Sequence, residues 1–242
     1  DEHLAGYCSE IYVSIRKDGS ALIRDNGRGI PVDLHKMGVP AERVIFTTLH
    51  AGGKFDDSSY KTSGGLHGVG SSVVNALSAR MDVKIMKDGV ISVDSYEYGK
   101  PTMKLIDKKL PVLGKTRKTG TEVSFIPDKT IFDTVKFKAS SIKQRLHETA
   151  YLNPELTLIF ENERDGEEPV TYHEPEGIVG FIAELNKDKE TIHDVIYFKG
   201  EKDGIFMEVA YQFTNEFGEN ILGFCNNIST IEGGTHISGF KN

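Results

Sequence analysis

Tryptophan is absent from this 242-residue chain, and cysteine occurs only twice, at Cys8 and Cys225. Two cysteines so far apart, without a CxxC pair, indicate neither a disulfide framework nor a thiolate zinc site. No apolar run approaches the roughly 20 residues that cross a bilayer, and the first residues lack the basic start and apolar core of a signal peptide. We therefore expect a packed, cytosolic protein with no membrane partner.

The chain has no excess of basic residues, and its formal net charge is −7. The charge is divided unevenly, with +6 over residues 1–147 and −13 over residues 148–242. A mildly basic first part suits an anionic ligand such as a nucleotide, but it is far from the dense basic stripe of a nucleic-acid-binding surface. We expect no direct DNA binding by this segment. The length is sufficient for two domains.

Short strands joined by turns alternate with helical segments along the chain. Asp-Gly turns at residues 18–19 and 88–89 predict two antiparallel hairpins. The strands are predicted at residues 11–15, 21–25, 83–86, 90–96 and 121–126. Apolar residues three or four apart predict helices at residues 41–49, 71–80, 140–151 and 178–186. Hairpins with helices between them favour an α+β layered sandwich over a doubly wound parallel sheet.

A polar stretch at residues 173–177, HEPEG, contains both Pro and Gly and is typical of a linker. It predicts a first domain over residues 1–172 and a second over residues 173–242. The second part is expected to carry strands at residues 205–213 and 221–226, and to stop at Asn242 with no closing element.

The segment DNGRGIP, residues 25–31, follows a predicted strand. The Asp25 carboxylate can accept a hydrogen bond from the exocyclic amine of adenine, whereas guanine would present an oxygen acceptor there. Glycines beside the carboxylate allow the backbone to approach a base edge. The alternative is an ordinary turn after a strand.

A second glycine-rich segment, SGGLHGVG at residues 63–70, leads directly into a predicted helix. Successive backbone N–H groups in such a segment can bind a polyphosphate at the start of the helix. The alternative is a flexible loop without a ligand. The glycine order is not that of a Rossmann fingerprint, and no Walker lysine follows it.

Together these segments resemble the GHKL ATPase superfamily, which groups gyrase, the ninety-kilodalton heat-shock chaperones, histidine kinases and MutL mismatch-repair proteins. The text LHAGGKFDDSSYK, residues 49–61, is similar to the gyrase B and topoisomerase IV signature. Further matches follow in order at residues 1–6, 118–121, 226–228 and 233–236. The resemblance spans essentially the whole chain. It implies a GHKL (Bergerat) two-layer sandwich with a mostly antiparallel sheet, followed by the start of an α+β transducer domain.

By this resemblance, Asp25 binds the adenine amine, with Thr121 supporting it through water and Gly29 giving close backbone approach, and Arg28 pairs with Glu2 beside the base. Tyr60 reaches the base from a lid and Lys54 faces the phosphates. The remaining implied ATP-binding residues are Ile30, Lys61, Gly65, Leu66, His67, Gly68, Val69 and Gly70. The resemblance also implies Mg²⁺, homodimerisation of the ATPase region, an A-subunit partner, and DNA bound through the full complex.

Two departures from the family pattern affect these expectations. In gyrase B relatives, a magnesium-binding Asn and a water-activating Glu precede the position of Asp1, so we expect the general base and the metal ligand upstream. The strand residue Val93 stands where gyrases commonly carry an arginine that coumarin inhibitors grip. Gyrase, topoisomerase IV, and a nucleotide-binding module without turnover remain alternatives. A chaperone or a mismatch-repair ATPase is disfavoured by the text of residues 50–61.

Overall fold

A computed structural model describes residues 1–50 and 68–242. The chain divides into two compact units. The first comprises Asp1–Lys143 and Thr157–Thr171, and the second comprises Gln144–Leu156 and Tyr172–Asn242. The predicted domain boundary between residues 172 and 173 stays a prediction, and the second unit also takes in the segment Gln144–Leu156.

A nine-stranded sheet organises the first unit. Its strands are β1 Glu10–Ile15, β2 Ala21–Asp25, β3 Ser78–Lys87, β4 Val90–Glu97, β5 Lys100–Pro101, β6 Val112–Lys115, β7 Gly120–Pro127, β8 Thr157–Asn162 and β9 Val170–Tyr172. The spatial order is β5-β4-β3-β7-β2-β1-β8-β9, and β6 pairs with β4. The pairs β1–β2, β2–β7, β3–β7 and β3–β4 are antiparallel, whereas β1 and β8 run parallel. The mostly antiparallel sheet confirms the predicted α+β class.

Local turn chemistry explains the two predicted hairpins. In the β1–β2 turn, the Asp18 carboxylate accepts hydrogen bonds from the Ser20 backbone N–H at 2.9 Å and from its hydroxyl at 2.7 Å. Gly19 adopts a positive φ of 86°, which a residue without a Cβ tolerates. In the β3–β4 turn, Asp88 and Gly89 both have positive φ, as two-residue hairpin turns require.

Helices α1 (Ala41–Thr47) and α2 (Gly70–Ala76) belong to the first unit, whereas α3 (Ala139–Leu152) begins in the first unit and has most of its residues in the second. The core of the first unit is formed by one face of β3, β4 and β7 with α1, because alternate strand residues point to the same side. The fully buried cluster consists of Phe46, Met81, Val83, Ile85, Tyr96 and Leu110.

One helix is shorter than the sequence predicts. The apolar spacing predicts a single helix over residues 71–80, but α2 ends at Ala76 and Ser78–Arg80 already belong to β3. In β3, Ser78 lies opposite Pro127 and Arg80 lies opposite Ile126. Pairing with a strand nearly fifty residues away therefore overrides a local helical pattern.

The second unit contains α4 (Gly177–Asn186), the hairpin β10 (Ile196–Lys202) with β11 (Ile205–Tyr211), a small hairpin β12 (Phe224–Cys225) with β13 (Ile228–Ser229), and α5 (Thr235–Lys241). The prediction of a strand over residues 221–226 is wrong, because pairing is limited to two residues on each side of Asn226 and Asn227. Both asparagines have positive φ and form the turn. Helix α5 corrects the expectation that no element precedes Asn242.

Candidate functional site

Asp25, the last residue of β2, is the centre of the site. Its Oδ1 accepts hydrogen bonds from the backbone N–H of Gly27 at 2.8 Å and of Thr121 at 3.4 Å. Within the described ranges 1–50 and 68–242, no group donates a hydrogen bond to Asp25 Oδ2. The carboxylate is thus fixed by one oxygen, while the other can accept a donor from a ligand.

The glycines around Asp25 are required by the protein's own packing. A Cβ on Gly120, whose φ is 135°, would lie 2.1 Å from the Asp25 carbonyl oxygen. A Cβ on Gly29, whose φ is 80°, would lie 2.9 Å from the Met86 carbonyl oxygen. Neither position accepts a side chain without moving backbone. The close approach of β2, β3 and β7 around Asp25 therefore depends on these two residues.

Thr121 joins the loop after β2 to strand β7. The Ile30 backbone N–H donates to Thr121 Oγ1 at 3.2 Å, and the Thr121 backbone N–H points to Asp25 Oδ1. The hydroxyl proton of Thr121 is not used in either bond, so it can serve a water or a ligand. Asp25, Ile30 and Thr121 consequently form one hydrogen-bonded group.

Arg28 and Glu2 form a two-point ion pair next to this group. Arg28 Nη2 donates to Glu2 Oε1 at 2.8 Å, and Arg28 Nε donates to Glu2 Oε2 at 3.2 Å. The backbone N–H of Arg28 also donates to Glu2 Oε2 at 2.9 Å. Since the Arg28 side chain is 41% exposed, water screens the pair, and we assign it a positioning role rather than a large stabilising one.

The environment of Asp25 disfavours its charged form. Burial is the main cause that raises its pKa, and the nearby Glu2 carboxylate acts in the same direction. The N–H donors of Gly27 and Thr121 partly oppose this effect. A carboxylate in such a setting gains from any additional donor that reaches its second oxygen.

The glycine-rich segment is described only at its end. Gly68 has a positive φ of 57°, Val69 takes the N-cap position, and Gly70 begins α2. Among the described residues, no hydrogen bond joins these three to the Asp25 group. Six predicted site residues lie outside the described residues: Lys54, Tyr60, Lys61, Gly65, Leu66 and His67.

Sequence reasoning missed several residues of the site. Asn26 accepts hydrogen bonds from the backbone N–H of Ser9 and Glu10 at 2.9 and 3.0 Å, and so holds the loop after β2 against the start of β1. Tyr7 stacks on Arg28, and Lys87 Nζ donates to the Arg28 carbonyl oxygen at 3.5 Å. An Asn within an Asp-Asn-Gly turn is a recognisable signal, but nothing local marks Tyr7 or Lys87.

Neither metal-binding clusters nor surface cavities define this site. In the described part of the chain, no group of three or more His, Cys, Asp or Glu side chains is arranged to hold a metal ion. No described residue is therefore assigned to Mg²⁺. Two surface cavities of the first unit do not include Asp25. No described helix is long and apolar enough to cross a bilayer.

Two family models match this chain. The family model of histidine kinase-, DNA gyrase B- and HSP90-like ATPases matches residues 1–131, and that of DNA gyrase B matches residues 177–242. The DNA gyrase B protein of Archaeoglobus fulgidus is 48% identical over the whole chain, and the DNA topoisomerase 4 B protein of Streptococcus pneumoniae is 49% identical. The chain covers 38% and 37% of these two relatives, so it spans little more than a third of their length.

A solved structure gives the same result for the fold. The 43K ATPase domain of Thermus thermophilus gyrase B, solved with an aminocoumarin, superposes with a TM-score of 0.82 at 36% identity. The match covers all of this chain and 61% of that one. It confirms the expected GHKL fold. The chain belongs to the family of histidine kinase-, DNA gyrase B- and HSP90-like ATPases, and within that family it is similar to the gyrase B and topoisomerase IV B proteins.

Proposed function

We propose that this chain is the ATP-binding module of a type IIA DNA topoisomerase of the gyrase B or topoisomerase IV B kind. The geometry of Asp25 is the observation that carries the proposal. One carboxylate oxygen is held by two backbone N–H groups, and the other can accept the exocyclic amine of adenine. Family membership over residues 1–131 supports a nucleotide as the ligand.

Selectivity for adenine follows from the same geometry. Asp25 offers only acceptors, so it attracts the adenine amine and repels the guanine carbonyl oxygen. Thr121 keeps a hydroxyl proton that can reach a ring nitrogen or a bridging water, and Ile30 and Gly29 place backbone beside the base. Arg28, held by Glu2, borders this edge of the site.

The phosphate side is assigned from the family resemblance. Lys54, Lys61 and Tyr60 belong to the segment that would close over ATP. The backbone of Gly65, Leu66, His67, Gly68, Val69 and Gly70 would surround the phosphates. When bound, Mg²⁺ would neutralise phosphate charge, and no described residue serves as its ligand. Glu2 is engaged by Arg28, so we do not offer it as the general base.

For the whole protein, we propose that ATP binding and homodimerisation are coupled to DNA strand passage. We further propose that the protein acts with an A subunit and that it is located in the cytoplasm. Residues 1–172 would form the ATP-binding domain and residues 173–242 the start of the transducer domain. The relatives carry gyrase and topoisomerase IV names at 48–50% identity, so the proposal is for the function that the two enzymes share.

Calorimetric titration of this chain with non-hydrolysable ATP and GTP analogues tests the nucleotide assignment. We expect the ATP analogue to bind at least tenfold more tightly, about 1.4 kcal/mol. Equal affinities would remove the adenine-reading role of Asp25. Supercoiling and decatenation assays on the full-length protein with its A subunit test the topoisomerase assignment. DNA products that form without ATP, or the absence of any DNA product, would contradict the topoisomerase assignment.

A further inference from the structure

Tyr7 lies with its ring against the guanidinium of Arg28. The distance from Arg28 Cζ to the ring centroid is 3.8 Å, well inside the range of a cation–π contact. Tyr7 is 53% exposed, so burial of its ring in a core does not explain this position. The contact instead leaves one face of the guanidinium covered by an aromatic ring.

A single backbone turn presents both partners of Arg28. The Gly6 N–H donates to the His3 carbonyl at 2.8 Å, and the Tyr7 N–H donates to the Glu2 carbonyl at 2.9 Å. With Gly6 at a φ of 81°, this is the Schellman arrangement that ends a helix. Glu2 and Tyr7 are therefore held at a fixed separation, one at the edge of the guanidinium and the other on its face.

The two contacts restrict different motions of Arg28. The two-point pair with Glu2 keeps the guanidinium and carboxylate planes aligned, but it does not prevent both from tilting together on flexible side chains. A ring packed on the face opposes that tilt. Tyrosine is suited to this role because its ring is rigid and has only two side-chain torsions to order.

The Glu2 carboxylate also borders Asp25. A Cβ built on Gly27 would lie 2.9 Å from both Asp25 Oδ1 and Glu2 Oε2, so the two acceptors approach the same backbone position from either side. A shift of the Arg28–Glu2 pair would consequently disturb the loop of residues 25–30 that fixes Asp25.

We propose that Tyr7 is a positioning residue of the nucleotide site: its ring holds the plane of Arg28 and, through Glu2, the loop that presents Asp25 to a purine base. This inference rests on the proposed ATP-binding function. Tyr7 acts through Arg28, so its contribution should exist only while Arg28 is present.

A double-mutant cycle on the complete chain tests this proposal, with the dissociation constant of a non-hydrolysable ATP analogue as the readout. We expect Tyr7→Leu to weaken binding by roughly two- to fivefold, and Tyr7→Phe, which keeps the ring, to bind like the wild type. In an Arg28→Gln background, Tyr7→Leu should cause no further loss. Tyr98→Leu is the matched control, since Tyr98 is a 62% exposed tyrosine on the turn after β4.

Each outcome decides a separate point. Unchanged affinity in Tyr7→Leu, or an equal loss with and without Arg28, would overturn the role of Tyr7. If Tyr7→Leu loses its fold by circular dichroism, Tyr7→Gln, which also removes the ring but keeps a polar side chain at this exposed position, replaces it in the cycle with the same expected outcomes. Absence of binding by the wild-type chain would instead refute the proposed function itself.

Discussion

Glu42 and Tyr96 meet in a hydrogen bond of 2.7 Å between Glu42 Oε1 and the tyrosine hydroxyl, at a place where neither side chain is exposed. The same hydroxyl lies 3.3 Å from Asp94 Oδ2, and Arg43 donates to both Asp94 oxygens at 2.7 and 3.1 Å. Glu42 Oε2 has no hydrogen-bond partner among residues 1–50 and 68–242. Burial is the main cause that raises the pKa of Glu42 to about 8, and the Asp94 charge adds to it.

These distances explain why a neutral Glu42 is tolerated. One tyrosine hydroxyl has a single proton and cannot donate to two carboxylates at once. If Glu42 is protonated, it can donate to the Tyr96 oxygen, and Tyr96 can then donate to Asp94, whose two oxygens also accept hydrogen bonds from Arg43. The proton on Glu42 thus completes a chain of hydrogen bonds beneath α1.

Stability should therefore fall as the pH rises through the neutral range. The pKa of Glu42 is about 8 in the folded state and about 4.5 in the unfolded state, so between these values the folded state binds one more proton. As the pH rises from about 4.5 to about 8, Glu42 should lower the free energy of unfolding by up to about 1.4 kcal/mol per pH unit. Below about pH 4.5, the stabilisation that Glu42 contributes is fully present.

Urea unfolding at several pH values measures this slope for the wild type and for Glu42→Gln, whose amide mimics the protonated acid. We expect the variant to be the more stable protein at pH 8 and its profile to be flatter. Glu97→Gln, at an exposed position of the neighbouring β4, is the control and should keep the wild-type slope. Parallel profiles for the wild type and Glu42→Gln would show that Glu42 is ionised in the fold.

The Asp25→Asn variant should lose affinity for ATP by at least about tenfold without losing stability. The amide oxygen can still accept from the Gly27 and Thr121 N–H groups, but the NH₂ then faces the adenine amine donor-to-donor. Titration calorimetry and thermal unfolding measure the two properties on the same sample. Asp18→Asn, in the exposed β1–β2 turn, is the matched control, and a similar loss of affinity there would point to a nonspecific effect.

Replacing Asn75 with an apolar residue should destabilise the protein less than replacing it with an acid. Its Nδ2 donates to the Phe46 carbonyl at 2.9 Å and the Gly99 carbonyl at 3.2 Å, which ties α2 to the end of α1 and to the turn after β4. We expect Asn75→Leu to lower the free energy of unfolding by about 2–4 kcal/mol. Asn75→Asp should cost more at pH 8, because a buried carboxylate would face two carbonyl oxygens.

Denaturant midpoints of both Asn75 variants at pH 5 and pH 8 supply the comparison. The Asp variant should recover part of its stability at pH 5, as protonation restores a donor. Ser71→Ala, on the exposed side of the same helix, should stay near the wild type. An Asp variant as stable as the Leu variant at both pH values would show that water reaches this position.

Gly120→Ala should destabilise the protein by about 3 kcal/mol or more, because the added Cβ would lie 2.1 Å from the Asp25 carbonyl oxygen at a φ of 135°. Any folded fraction should bind ATP poorly, since Asp25 must move. Thermal unfolding combined with titration measures both effects. Gly114→Ala in β6 serves as the control, since no atom of the described residues lies within 4 Å of the added carbon. A fully stable Gly120→Ala protein would mean that β2 and β7 separate without cost.

The success of sequence reasoning depended on how local each determinant is. The hairpins are marked by Asp18-Gly19 and Asp88-Gly89, whose turn chemistry lies within the segment itself. The predicted end of α2 is wrong because the pairing of Ser78 is decided by Pro127 on another strand. In the site, Asp25 stands out through its motif. The Tyr7 stack and the Glu42 chain depend on side chains that meet only after folding, so no spacing in the sequence indicates them.

The parallel pairing of β1 with β8, in which Ile11 lies opposite Leu158, affects the order in which the chain assembles. The β1–β2 and β3–β4 hairpins join segments that are neighbours in sequence and can form early. One edge of β1, in contrast, pairs with β8, which is synthesised roughly 150 residues later. At ribosomal speeds of about 5–20 residues per second, that interval is on the order of ten seconds. During synthesis, β1 therefore presents an unsatisfied backbone edge, which can pair with another molecule until β8 emerges.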